Sequence, residues 1–144
     1  MRIKIICVGK VKDHYIRECI ADFSNKVGHY KDIARVEVVE IKDMGIEKEA
    51  DKVIYMLDEE FFVVLGEEGK NMSSNEFADF LKKQNKDIVF VIGGPFGISD
   101  KLKKKANLVL SMSKMTFTHE MARLFLLEQL YRAFNILKGT QYHK

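Results

Sequence analysis

Ile88-Val89-Phe90-Val91-Ile92-Gly93-Gly94-Pro95-Phe96-Gly97 decides the fold. An unbroken apolar run of strand length, closed by a Gly-Gly-Pro loop, reads as a strand buried on both faces. Phe61-Phe62-Val63-Val64-Leu65 repeats the pattern and runs into Gly66-Glu67-Glu68-Gly69, which reads as a turn. Strands of this kind belong inside a parallel sheet covered by helices, and the rest of the chain supplies them.

Upstream, Arg2 to Gly9 reads as a strand ended by its glycine, and His14 to about Tyr30 has helical spacing in Tyr15, Ile16, Cys19, Ile20, Phe23 and Val27. Ala34 to Lys42 alternates apolar and polar residues, as a strand with one wetter face does. Ile46 to Leu57 reads as a helix. Ser74 is the expected cap of a helix reaching about Lys83. Downstream, Ser99 to Lys105 is a short helix with a basic face, Asn107 to Met112 a short strand, and Thr118 the cap of a final helix to about Lys138. The predicted order is β-α-β-α-β-α-β-α-β-α, an α/β fold with a mainly parallel sheet and flanking helices.

At 144 residues a single domain over 1–144 is expected, and 47% hydrophobic content suffices for a core. No apolar run reaches bilayer-spanning length. The amino-terminal pattern opens on a strand and not on a signal peptide, so a cytoplasmic protein is expected. A net charge of +3 permits an RNA partner without demanding one. Cys7 and Cys19 form no disulfide framework and are expected as reduced core residues. His14, His29, His119 and His143 are scattered singly, so no metal site is expected.

Three loops follow three apolar strands. Glycines at Gly93, Gly94 and Gly97 allow close backbone approach, and the carboxyl edge of an open α/β sheet is where ligands bind. The loop is neither G-x-G-x-x-G nor a Walker sequence, so a phosphate cradle is only weakly supported. Met112-Ser113-Lys114-Met115-Thr116-Phe117 carries more apolar bulk than a solvent loop needs, and suits packing against a flat ring such as adenine. Each loop alone also reads as a turn or as core. Their convergence is the stronger reading, a pocket for a nucleotide-like cofactor.

The final helix places Arg123 in the middle of its apolar side, where a guanidinium is costly unless paired. A structural ion pair and a substrate-binding role both fit. Leu124 and Tyr131 intrude on the polar side, so the helix is apolar around most of its girth, which suggests a subunit interface. The run from Lys101 to Lys105 is a solvated face or an RNA-backbone contact. By composition alone the Tyr142-His143 tail is frayed.

The chain resembles the RlmH family of SPOUT-class methyltransferases. The resemblance spans nearly the whole chain and is most specific at Ile92-Gly93-Gly94-Pro95, at Leu110 to His119, and at Leu127-Glu128-Gln129-Leu130-Tyr131-Arg132-Ala133-Phe134. It implies transfer of a methyl group from S-adenosylmethionine to N3 of a pseudouridine in large-subunit (23S) ribosomal RNA, on assembled ribosomes. It implies cofactor contacts at Leu65, Gly94, Met112, Ser113, Lys114, Met115, Thr116 and Phe117. It also implies a homodimer and a carboxyl-terminal trefoil knot, against which the general rule of unknotted chains would speak.

On this reading the tail closes over the target base through Tyr142 and His143. His143, or a water it holds, accepts the N3 proton. Arg123 and Arg132 orient the base or its phosphate. Nine positions apart, the two arginines point roughly 180° apart on the helix, so a site spanning two subunits is expected. His119 is expected to be structural. The alternative is a non-catalytic ribosome-binding module that retains the cofactor pocket.

Overall fold

A computed structural model describes residues 1–144. The strands are β1 (Arg2–Val8), β2 (Arg35–Ile41), β3 (Phe61–Asn71), β4 (Ile88–Ile92) and β5 (Leu108–Ser111). The helices are α1 (His14–Val27, continued by a 3-10 turn over Gly28–Tyr30), α2 (Ile46–Met56), α3 (Ser74–Gln84), α4 (Asp100–Lys105) and α5 (His119–Lys138). The strands form one sheet in the order β2-β1-β4-β3-β5, every neighbouring pair parallel. This is the α/β architecture that the alternation of elements predicted.

All five residues of β4 are buried, because both sheet faces are covered. On one face Ile3, Ile5, Cys7 and Phe90 pack against Val27 of α1, Phe77 and Leu81 of α3, and Leu126, Leu127, Leu130 and Phe134 of α5. On the other, Ile6, Val8, Val64 and Val91 meet Ala50 and Val53 of α2 and Leu102 of α4. Phe134 is wholly buried in the larger cluster, so its truncation to Ala would cost roughly 3–5 kcal/mol.

Three local readings need correction. Gly66 to Gly69 is not a turn: β3 continues to Asn71, its pairing with β5 shifting register between Leu65 and Lys70. Gly69 makes this possible, since a Cβ there would lie 2.4 Å from the Val109 carbonyl oxygen. The cap of α3 is Ser73, not Ser74. Its side chain accepts from Glu76 N–H while the Glu76 carboxylate accepts from Ser73 N–H, a reciprocal capping box. Cys19 is exposed, whereas Cys7 is buried as expected. The covered side of α1 is narrower than its apolar stripe and leaves Tyr15 exposed as well.

The chain leaves the sheet at its edge strand β5 and returns through residues 112–118 to the first strand. There the Glu120 carboxylate accepts from the N–H groups of Lys12 and Asp13, at 3.2 and 3.1 Å. That return brings the start of α5 over the carboxyl ends of the strands.

Candidate functional site

A cavity of about 420 Å³ opens beside the irregular stretch of β3 and the carboxyl ends of β4 and β5. Leu65 at the β3 irregularity, Ile92 at the end of β4 and Leu110 near the end of β5 give it an apolar floor. The loop after β4 folds into a tight turn in which Gly97 N–H donates to the Gly94 carbonyl at 3.0 Å, and Pro95 and Phe96 stand at its tip. The loop after β5 is pinned from within. Asn71 Nδ2 donates to Ser111 Oγ at 3.0 Å, Ser111 Oγ to the Ser113 carbonyl at 2.8 Å, and Met115 N–H to Ser113 Oγ at 3.0 Å. Thr118 caps α5 as the sequence predicted, its hydroxyl accepting from Met121 N–H. These bonds fix both loops without any ligand.

Of the residues expected to hold a cofactor, Leu65, Gly94, Met112, Ser113, Met115, Thr116 and Phe117 line this cavity, and Lys114 does not. His119 and Ala122 of α5 line it too, as do Glu67, Glu68 and Lys103, none of them expected as a cofactor contact. A second hollow of about 440 Å³ shares Leu110, Met112 and Phe117 with the first and extends along α5 to Glu128 and Gln129.

The last residues are folded back, not frayed. Gly139 ends α5 in the left-handed conformation (φ 74°) and turns the chain along the helix. Tyr142 then packs edge-on against Tyr131, with ring centroids 4.7 Å apart, and its hydroxyl donates to Glu128 Oε1 at 2.9 Å. Arg132 grips the same carboxylate at 2.6 and 3.1 Å, its guanidinium 4.8 Å from the centre of the Tyr142 ring. Burial, then the bond to Glu128, raises the Tyr142 phenol above its ordinary value, so it stays a donor at neutral pH. The bond to Glu128 likewise raises the Arg132 guanidinium.

Arg132 Nη1 lies 3.2 Å from His143 Nδ1. A guanidinium only donates, so this contact requires an unprotonated Nδ1 and leaves the ring proton on Nε2. Asn135 is buried despite its polar side chain. It accepts from Tyr30 Oη at 2.8 Å and from Thr140 Oγ1 at 2.6 Å, tying the tail to the end of α1. Glu128, Tyr131 and Asn135 were missed as tail-holding residues. The four-residue spacing of Glu128 and Arg132 was the one available signal.

Arg123 lies elsewhere. It is buried, donates to Glu40 Oε2 at 2.6 Å and to the Gly9 carbonyl at 3.1 Å, and lines neither hollow. Of the two roles open to it, the internal ion pair is the one formed within the chain. Tyr142 and His143 also lie outside the lining of the first cavity, against their own helix.

An all-parallel sheet with a loop-built cavity at its carboxyl edge, closed by a returning terminal helix, is the architecture of the SPOUT methyltransferases. The family model described as "Predicted SPOUT methyltransferase" matches residues 1–143. A probable methylase family protein from Haemophilus influenzae Rd KW20 shares the fold, with a TM-score of 0.55 at 12% identity over 99% of this chain and 70% of that one. Within the class, three similar chains are each called ribosomal RNA large subunit methyltransferase H. That of Caldicellulosiruptor saccharolyticus is 39% identical, with 99% of both chains covered. Those of Malacoplasma penetrans and Coprothermobacter proteolyticus are each 42% identical, with 100% of both chains covered. The chain belongs to this family of ribosomal RNA large subunit methyltransferases.

Proposed function

We propose that this protein transfers the methyl group of S-adenosylmethionine to N3 of a pseudouridine in 23S ribosomal RNA, acting in the cytoplasm on assembled ribosomes as a homodimer. Family membership supports the enzyme class and the ribosomal substrate. The observation that carries the cofactor assignment is the cavity itself. Its apolar floor suits an adenine ring, and its walls are backbone loops fixed before any ligand arrives. Leu65, Gly94 and the stretch Met112 to Phe117 hold the cofactor, with Lys114 exposed and outside the cavity lining.

Methyl transfer is an in-line displacement at the sulfonium-bound carbon, so the protein must chiefly align two reactants and exclude water. The N3 proton must also leave. Tyr142, His143 and Arg132 form the substrate-facing group, offered by one subunit to the cavity of its partner. Arg132 is the switch in this arrangement. While it donates to His143 Nδ1, that nitrogen has no free lone pair. When Arg132 turns to an RNA phosphate, Nδ1 is released to accept the proton. Arg123 serves the site at one remove, by fixing α5 against β1 and β2. The half-buried apolar residues Met121, Leu124 and Phe125 on α5 favour this helix as the dimer contact. The return of residues 112–118 from the edge strand to β1 favours the knotted threading of the class.

The test is methyl transfer from labelled S-adenosylmethionine to ribosomes lacking the modification, with mass mapping of the product nucleoside. A methylated pseudouridine is the expected product. Cofactor binding without transfer to any ribosomal RNA would replace this reading with a binding module.

A further inference from the structure

Glu68 stands at the cavity rim with no part in the function proposed above. It lies three residues beyond Leu65, inside the β3 irregularity between Leu65 and Lys70, and its carboxylate lies close to Gly66. A Cβ at residue 66 would come within 2.8 Å of Glu68 Oε2 and 3.0 Å of Oε1. Lys103, reaching across from α4, holds Oε1 at 2.8 Å. Gly66 of β3 and Lys103 of α4 thus flank one carboxylate at the edge of the cavity, with Oε2 left without a cation. The Lys103 bond, helped by the residue's own backbone N–H, holds the Glu68 carboxyl below the usual carboxylate range, so it is ionised at neutral pH.

We propose that Glu68 is a cofactor-binding residue that accepts hydrogen bonds from the ribose hydroxyls of the nucleoside. This rests on the cofactor reading of the cavity. Two arguments select the ribose. Glu68 lines the same cavity as Leu65, Leu110 and Met112, so a nucleoside whose base is seated on those apolar residues turns its polar sugar toward the polar rim where the carboxylate lies. Lys103 already pairs with the carboxylate, which makes it less a counterion for the cofactor's sulfonium or ammonium than a directed hydrogen-bond acceptor. What remains is an oriented anionic acceptor, the group that reads a vicinal diol in nucleotide sites of other α/β folds.

Gly66 provides an independent handle. Its backbone is not left-handed, and the three nearest atoms an added Cβ would meet all belong to the movable end of Glu68. Gly66→Ala therefore displaces the carboxylate while leaving both acid and fold in place.

The experiment is calorimetric binding of S-adenosylhomocysteine, its 2′-deoxy and 3′-deoxy analogues, and S-adenosylmethionine to the full chain and to Glu68→Ala and Gly66→Ala. Both variants should bind S-adenosylhomocysteine about 10-fold more weakly, the loss of a hydrogen bond to a charged acceptor. Deleting a ribose hydroxyl should weaken binding to the unsubstituted chain but add nothing in the variants. Unchanged affinity in Glu68→Ala would overturn the proposal. So would a loss larger for S-adenosylmethionine than for S-adenosylhomocysteine, since the carboxylate would then be reading the sulfonium charge. Failure of the unsubstituted chain to bind either molecule would remove the cofactor reading itself, a result distinct from both.

Discussion

Arg123 and Arg132 sit on one helix, nine residues apart, and have opposite surroundings. Arg123 is 5% exposed and spends its guanidinium on Glu40 and the Gly9 carbonyl, joining α5 to the ends of β1 and β2. Arg132 is 25% exposed and meets Glu128, the Tyr142 ring and His143, all within the last seventeen residues. Side-chain chemistry does not separate them. The neighbours do: one set is supplied by the opening strands of the fold, the other by the helix itself and the tail behind it. The first arginine should therefore report on stability and the second on catalysis.

The largest expected effect lies on the second side. Removing Tyr142, His143 and Lys144 should lower methyl transfer by roughly 10²–10⁴-fold while changing cofactor affinity less than about twofold, measured by single-turnover assay and calorimetry. Full activity in the shortened chain would dissolve the contrast. Next comes the buried pair. Glu40→Ala leaves the Arg123 guanidinium buried without its partner and should cost about 3 kcal/mol in urea denaturation. Arg123→Met should cost about half as much, because Glu40 is 41% exposed and regains water when abandoned. Equal losses would mean that packing, not charge, dominates there.

Cys7 sharpens the same point through pH. It pairs with Glu40 across β1 and β2. Burial raises its thiol from 9.0 to about 11, with Arg123 lowering it and Glu40 raising it as smaller influences. A folded pKa above the unfolded one gives stability that is complete below pH 9 and lost as pH rises to about 11. That loss should be roughly 2–3 kcal/mol and absent in Cys7→Ala, read as denaturation midpoints across the window. The smallest effect is on the stability of Arg132→Ala. Its partly exposed pair should contribute about 1 kcal/mol, while methyl transfer falls nearly as far as in the truncation. A stability loss matching that of Glu40→Ala would place both arginines in the same role.

How much was legible follows the same division. The apolar runs Phe61–Leu65 and Ile88–Ile92 announced a covered parallel sheet because burial on both faces writes itself directly into composition. The order β2-β1-β4-β3-β5 was not legible, since nothing in β4 says which strands flank it. The extension of β3 was hidden because Gly66 and Gly69 have turn composition. Gly69 is there for the close approach of Val109, a contact forty residues distant in sequence. Cys19 misled because a helical stripe says which side is apolar, not how widely a neighbour covers it. The cavity loops were legible from glycine, serine and methionine placed after strands. The tail was not, because Tyr142 is held by Tyr131 and Glu128 around a turn that its own short, polar sequence does not encode.

The contacts between Glu120 and the Lys12–Asp13 backbone, and between Arg123 and Gly9, bear on how the chain is made. They join segments more than a hundred residues apart, so the fold closes its first strand with its last helix. Contacts of such separation form slowly, and a chain emerging amino end first cannot make them early. Until α5 is released from the ribosome that synthesises it, Ile3, Ile5 and Phe90 lack the cover that Leu126, Leu130 and Phe134 provide. That face of the sheet therefore stays partly uncovered until α5 has been made.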